Sequence, residues 1–148
     1  MKIICLILLF ISSIQLAQLQ RLPELEDKYI AESESNLLIL ASSAQTWEAH
    51  EILVNNTKYT LGISNDYRVK HISTVDSDFI SPEGLKIGDS ISKISNKESL
   101  NIKEERGWGI YGTLDSGWFV FLGGVPGSDS INMQNVLTEG KISMFFKR

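Results

Sequence analysis

From Trp47 onward, apolar side chains recur at every second position, and this constrains the fold more than any other feature of the chain. A period of two places alternate residues on opposite faces of a pleated strand, so the pattern calls for a sheet with a distinct apolar face. Glu48 to Val54 and Lys58 to Ser64 flank the polar break Asn55-Asn56-Thr57, a break of hairpin type, with Tyr59, Leu61 and Ile63 on one face and Thr60, Gly62 and Ser64 on the other. A second break at Asn65-Asp66 leads into Tyr67 to Val75, where Tyr67, Val69, His71 and Val75 share a face opposite Arg68, Lys70 and Thr74. Three antiparallel strands follow from these spacings.

The same reading extends both ways along the chain. Pro23 followed by Glu24, Glu26 and Asp27 has the composition of a helix start, and Leu37 to Ala41 reads as a strand. Downstream, Asp89 or Ser90 is placed to cap a short helix carrying Ile91 and Ile94. Asn101 to Leu114 and Gly117 to Leu122 then read as a hairpin turning at Asp115-Ser116, with Trp108 and Ile110 alternating against Tyr111 and Thr113. Gly124 to Glu139 reads as a long loop, and Ile142, Met144 and Phe146 mark a final strand. The expected fold class is α+β: a mainly antiparallel β-sheet with one or two short helices, after a signal peptide.

That signal peptide is read from Met1 to Ala17. Lys2 gives a basic start, Ile3 to Ile11 an apolar run, and Ser12, Ser13 and Gln15 a small and polar end. The run falls short of the roughly 20 apolar residues that a spanning helix needs, so the mature form is expected to have no transmembrane span. The expected organisation is residues 1–17 as signal, 18–45 as a poorly defined amino-terminal segment, and 46–148 as a single β-rich domain. Taking 17 residues from 148 leaves 131, one domain's worth, and removes Cys5, the single cysteine. No disulfide then holds the fold, and apolar burial must do so. With Lys2 gone, 13 basic side chains face 18 acidic ones, a net charge of −5. That balance argues against nucleic acid and is compatible with a cationic protein partner.

Four motifs come near to chemistry. His50-Glu51-Ile52-Leu53-Val54 begins like a zinc-protease helix, but Val54 stands where the second histidine is needed. Ser90-Ile91-Ser92-Lys93 fits S-x-x-K, yet the S-D-N and K-T-G elements that give the motif its meaning are missing. Asp76 and Asp78 do not continue into a calcium loop, since Ile80 occupies a ligand position. Asn55-Asn56-Thr57 fits an acceptor for N-glycosylation that would matter only in a eukaryotic secretory pathway, and it reads first as a polar hairpin turn. No cofactor and no metal site is expected, and His71 reads as a satisfied core or edge histidine. Glycines and aromatics interleave from Glu104 to Gly112 and again from Gly117 to Phe121. Arg106, Trp108, Tyr111 and Trp118 are therefore the candidate binding residues, either exposed for stacking on a partner or built into the core.

Ile72-Ser73-Thr74-Val75-Asp76, Phe79 and Ser81-Pro82-Glu83-Gly84-Leu85-Lys86-Ile87-Gly88-Asp89-Ser90 carry a resemblance. This stretch, residues 72–95, resembles small exported bacterial proteins of uncharacterised type that share a strand, an E-G-x-x-x-G-D/S-S/T turn and a short helix. The resemblance implies an exported compartment and a local topology, and brings no catalytic residues. The expected function is an exported, periplasmic or extracellular, non-catalytic binding or envelope-associated protein with a protein or glycan partner. Two rivals are an acidic inhibitor or immunity-type protein acting on a cationic hydrolase such as a lysozyme, and a small hydrolase using His50 or His71 with a carboxylate.

Overall fold

The computed structural model describes residues 21–31, 37–94, 100–123, 136 and 139–148. Residues 1–17 lie outside these, as does most of the expected 124–139 loop. Eight strands form one antiparallel sheet: β1 (Leu38–Ser42), β2 (Gln45–Val54), β3 (Thr57–Ile63), β4 (Val69–Thr74), β5 (Asn101–Glu105), β6 (Gly109–Thr113), β7 (Phe119–Gly123) and β8 (Met144–Lys147). Their order across the sheet is β1-β2-β3-β4-β8-β7-β6-β5. The sheet thus consists of two four-stranded meanders joined through their last strands, β4 and β8.

Local chemistry sets the hairpins. Val54 pairs with Thr57 across a two-residue turn in which Asn55 and Asn56 have φ of 50° and 63°, the doubly positive combination of a type I′ turn, which asparagine tolerates. The turn at Asp115-Ser116 also falls where expected, closed by Leu114 N donating to Trp118 O at 2.7 Å. The expected single strand Asn101 to Leu114 is instead two. Glu105 pairs with Gly109 around Arg106-Gly107-Trp108, and Gly107 supplies the φ of 85° that this tight reversal needs.

The expected helices give way to extended backbone. Among the described residues around Ser90 the helical element is a 3-10 turn, Ile91–Lys93, which ends where Ile94 becomes extended at ψ 108°. Ile91 N donates to Gly140 O and Ile142 N to Asp89 O, so the start of this turn is tied to the segment that leads into β8. Near Pro23 the chain likewise lies along β4, with Glu26 N donating to Val69 O, Val69 N to Asp27 O and Tyr29 N to Tyr67 O. Among the described residues no helix is long and apolar enough to cross a membrane.

Both faces of the sheet are covered at its centre, as consecutive residues of β8 show. Phe145 and Phe146 are each fully buried, yet they point to opposite sides. Phe145 joins the main core with Leu61, Ile72, Ile110 and Val120, under Phe79, Leu85, Ile91 and Ile142. Phe146 joins a smaller aromatic cluster with Trp108, Tyr111, Phe119, Phe121 and Met144. A register shift opposite Lys70 separates the Gly62–His71 pair from the Ile63–Val69 pair. It sends Val69 into the main core and His71 against Phe146, instead of onto one shared face. Tyr67 and Val75, expected on that face, lie outside β4 and are exposed.

The sheet curls strongly. Four strand spacings separate β1 from β8, about 19 Å if the sheet were flat. Yet Arg148 Nη1, just past β8, donates to Ala41 O in β1 at 3.1 Å. At the same end Ser43 N donates to Glu105 Oε1 at 2.8 Å, and Trp108 Nε1 to Leu40 O at 3.0 Å. The two edge regions are therefore joined by side chains at one end of a half-barrel, with no ladder between β1 and β5.

Candidate functional site

The closed end carries a cleft of about 550 Å³, within the range of small-ligand sites. Its walls come from six segments, Ala41 and Ser42 of β1 among them. Gln45 and Trp47 stand at the start of β2, Lys70 on the irregular step of β4, Glu105 at the end of β5, Arg148 after β8, and Glu26 on the strand-like amino-terminal segment. Trp47 is half-buried, leaving part of its indole open to the cleft. Gly62 favours this placement: a Cβ there would lie 2.9 Å from His71 Cβ, closer than real Cβ atoms approach, and a tight 3.0 Å from Trp47 Cβ.

Each cation in the wall is matched by an acid. Lys70 Nζ lies 2.7 Å from Glu26 Oε1. Arg148 Nη2 lies 2.8 Å from Glu105 Oε2 and donates to Tyr111 Oη at 2.6 Å, while its guanidinium carbon sits 4.8 Å from the ring centres of both Trp108 and Tyr111. This is a cation held by planar stacking as well as by hydrogen bonds, a combination suited to arginine. Burial works against the charge of Glu105, but hydrogen bonds from Ser43 N and the Arg148 guanidinium bring its carboxyl below the ordinary value. Glu26 adopts φ of 70°, a left-handed backbone uncommon for a residue with a side chain, and is held there by Arg68 Nη1 donating to its carbonyl at 2.9 Å.

Behind Trp47 lies His71, fully buried, its ring stacked on Phe146 at 5.8 Å between centres. Neither ring nitrogen has a hydrogen-bond partner, so the histidine is in the core but is not satisfied there. Burial pushes its pKa down from the ordinary 6.5 to about 4, with the nearby Arg148 charge acting in the same direction. The imidazole is neutral at pH 7.

The aromatic residues singled out from sequence do not form one exposed platform. Trp108, Tyr111 and Trp118 are only 8%, 5% and 5% exposed. Trp108 and Tyr111 meet edge to face at 5.4 Å in the smaller cluster, whereas Trp118 packs on Phe79 at 5.0 Å in the main core. Dense rings flanked by glycines were here recruited to burial. Arg106 is exposed in the β5–β6 turn, apart from these rings' packing. Acrylamide should accordingly quench the Trp47 fraction of the emission and leave the other two tryptophans protected; Trp47→Phe should remove the quenchable fraction, and an unchanged quenching curve would contradict this placement.

The remaining motifs serve local structure. Ser90 Oγ accepts from Ser92 N at 3.2 Å, and Lys93 Nζ pairs with Asp89 instead of Ser90. Asp76 accepts from Lys58 N at 2.8 Å and Asp78 N at 2.9 Å, fixing a turn. Asn55 is exposed at the tip of the β2–β3 hairpin. His50 Nε2 lies 2.9 Å from Glu48 Oε1 beside Tyr29, on a second groove of about 820 Å³ between β2 and residues 21–31. Among the described residues, no group of three or more His, Cys, Asp or Glu side chains is placed to hold a metal ion. Comparison with protein-family models, curated proteins and solved structures gave no significant match.

Proposed function

We propose that this chain is an exported, non-catalytic binding protein that holds its ligand in the cleft bounded by Trp47, Gln45, Lys70 and Arg148. The carrying observation is a concave site with one partly open aromatic wall and polar groups already fixed by their own partners. Such preorganisation limits the ordering cost of binding. Export is supported by the Met1 to Ala17 pattern and by the likeness of residues 72–95 to small exported bacterial proteins.

The hydrolase reading has one observation in its favour, the Glu48–His50 pair beside the second groove. A thermal-shift screen of peptides, saccharides, nucleotides and amphiphiles tests both readings. A binding protein shows ligand stabilisation that is reduced in Trp47→Ala and survives unchanged in His50→Gln. If no ligand class stabilises the chain, or if turnover of a substrate is lost in His50→Gln, the binding reading fails.

A further inference from the structure

We propose that the Trp47 cleft takes an uncharged saccharide, a segment of neutral glycan stacked on the open part of the indole. This inference rests on the binding reading above and adds the ligand's chemical class. Three properties of the site favour it.

The first is charge. Glu26 cancels Lys70 at 2.7 Å and Glu105 cancels Arg148 at 2.8 Å, so the wall has two cations, two anions and no formal excess. An ionic ligand would lose hydration on entering without gaining an unmatched counter-charge, and could bind only by breaking an existing pair. An uncharged polyol meets neither obstacle.

The second is the polar geometry. Glu26, Glu105, Gln45 and Arg148 are planar groups presenting both acceptors and donors, and the two ion pairs hold three of them in place. A sugar hydroxyl both donates and accepts, and neighbouring hydroxyls fit the paired oxygens or nitrogens of such planar groups. A purely apolar ligand would strip water from the hydrogen-bonding capacity these groups have left without replacing it.

The third is the aromatic wall. The other two tryptophans are sequestered, while Trp47 packs against Gly62 of the neighbouring strand β3, where an added side chain would press on it and on His71. A sugar ring has a face of C–H bonds, and an indole face carries negative quadrupole charge, so the two stack without a formal charge on either.

Isothermal titration and tryptophan fluorescence with maltotetraose, cellotetraose and N-acetylchitotetraose as neutral probes, and a heparin-derived tetrasaccharide as the anionic one, test the proposal. At least one neutral probe is expected to bind, with an affinity that does not change between low and high salt. Trp47→Ala should weaken it about tenfold, the equivalent of one aromatic stacking contact. Gln45→Ala, at an exposed position where folding is not at stake, should weaken it as well, while unfolding curves show both variants to be folded. Failure of all three neutral probes overturns the saccharide assignment, as does binding that ignores both substitutions, or salt-sensitive preference for the heparin fragment. A Trp47-dependent response to another ligand class would overturn this inference and leave the binding reading standing; no response to any class would remove both.

Discussion

His71→Leu should flatten the acid side of the stability curve by about 3 kcal/mol. The folded protein holds this ring with a pKa of about 4, against 6.5 when it is free in water, because burial disfavours the charged form and Arg148 adds repulsion. Between those two values the unfolded chain binds a proton that the folded chain refuses. Stability from this group is therefore complete above about pH 6.5, falls as the pH drops toward 4, and falls no further once the folded ring is itself protonated. Carboxylates with lowered pKa, such as Glu105, destabilise the parent and the variant alike in acid, so the difference between the two curves isolates His71. At pH 7 the variant should lie within about 1.5 kcal/mol of the parent, since leucine removes two unpartnered ring nitrogens while surrendering the stack on Phe146. Urea titrations from neutral to acid pH provide the measurement. Parallel curves for the two proteins would show that His71 is solvated or partnered in solution.

Phe146→Ala should cost about 3–5 kcal/mol, the range for truncating a buried aromatic to alanine. Phe146 is fully buried; it stacks on Phe119 at 4.9 Å and on His71 at 5.8 Å, and meets Trp108 edge to face at 4.8 Å. These neighbours come from β4, β7 and the β5–β6 turn, with Arg148 lying 5.7 Å from the ring centre. A cavity there cannot close without moving several rings at once. The loss should also let Trp108 relax toward solvent and loosen the Arg148 clamp, raising the quenchable share of tryptophan emission. A cost below about 1 kcal/mol would show that the smaller cluster contributes little to the fold.

The hairpins at Asn55-Asn56 and Asp115-Ser116 were legible because each is decided by residues adjacent in sequence. The strand at Leu37 to Ala41 was legible for a similar reason, being a short apolar run beside a polar break. The reversal at Gly107 was missed because glycines next to Trp108 and Tyr111 fit a bulged strand as well as a turn, and no spacing rule distinguishes them. The expected helix after Asp89 is a single 3-10 turn tied at its start to Gly140 and Ile142, some fifty positions away, a contact that no local pattern shows. The cleft was not legible at all. Arg148 meets Glu105 from 43 residues away and Ala41 from 107, and no local pattern announces such a meeting. Trp47 read only as the place where alternation begins. The signal that could have flagged it is Gly62, a residue with no side chain at a position where the alternation calls for one.

The joining of two meanders through β4 and β8 shapes how this chain reaches its native state. Within each half, neighbouring strands are joined by turns or short segments and can zip at little loop-closure cost, except β7 and β8, whose connection runs from residue 124 to 143. The seam between Thr74 and Phe145 is different, because about 70 residues must be gathered before its first ladder bond forms, a penalty that grows with the logarithm of that length. The topology predicts that pairing of β4 with β8 is the slow step of refolding, and a delay there would leave the hydrogen-bonding edges of both strands open to the wrong neighbour.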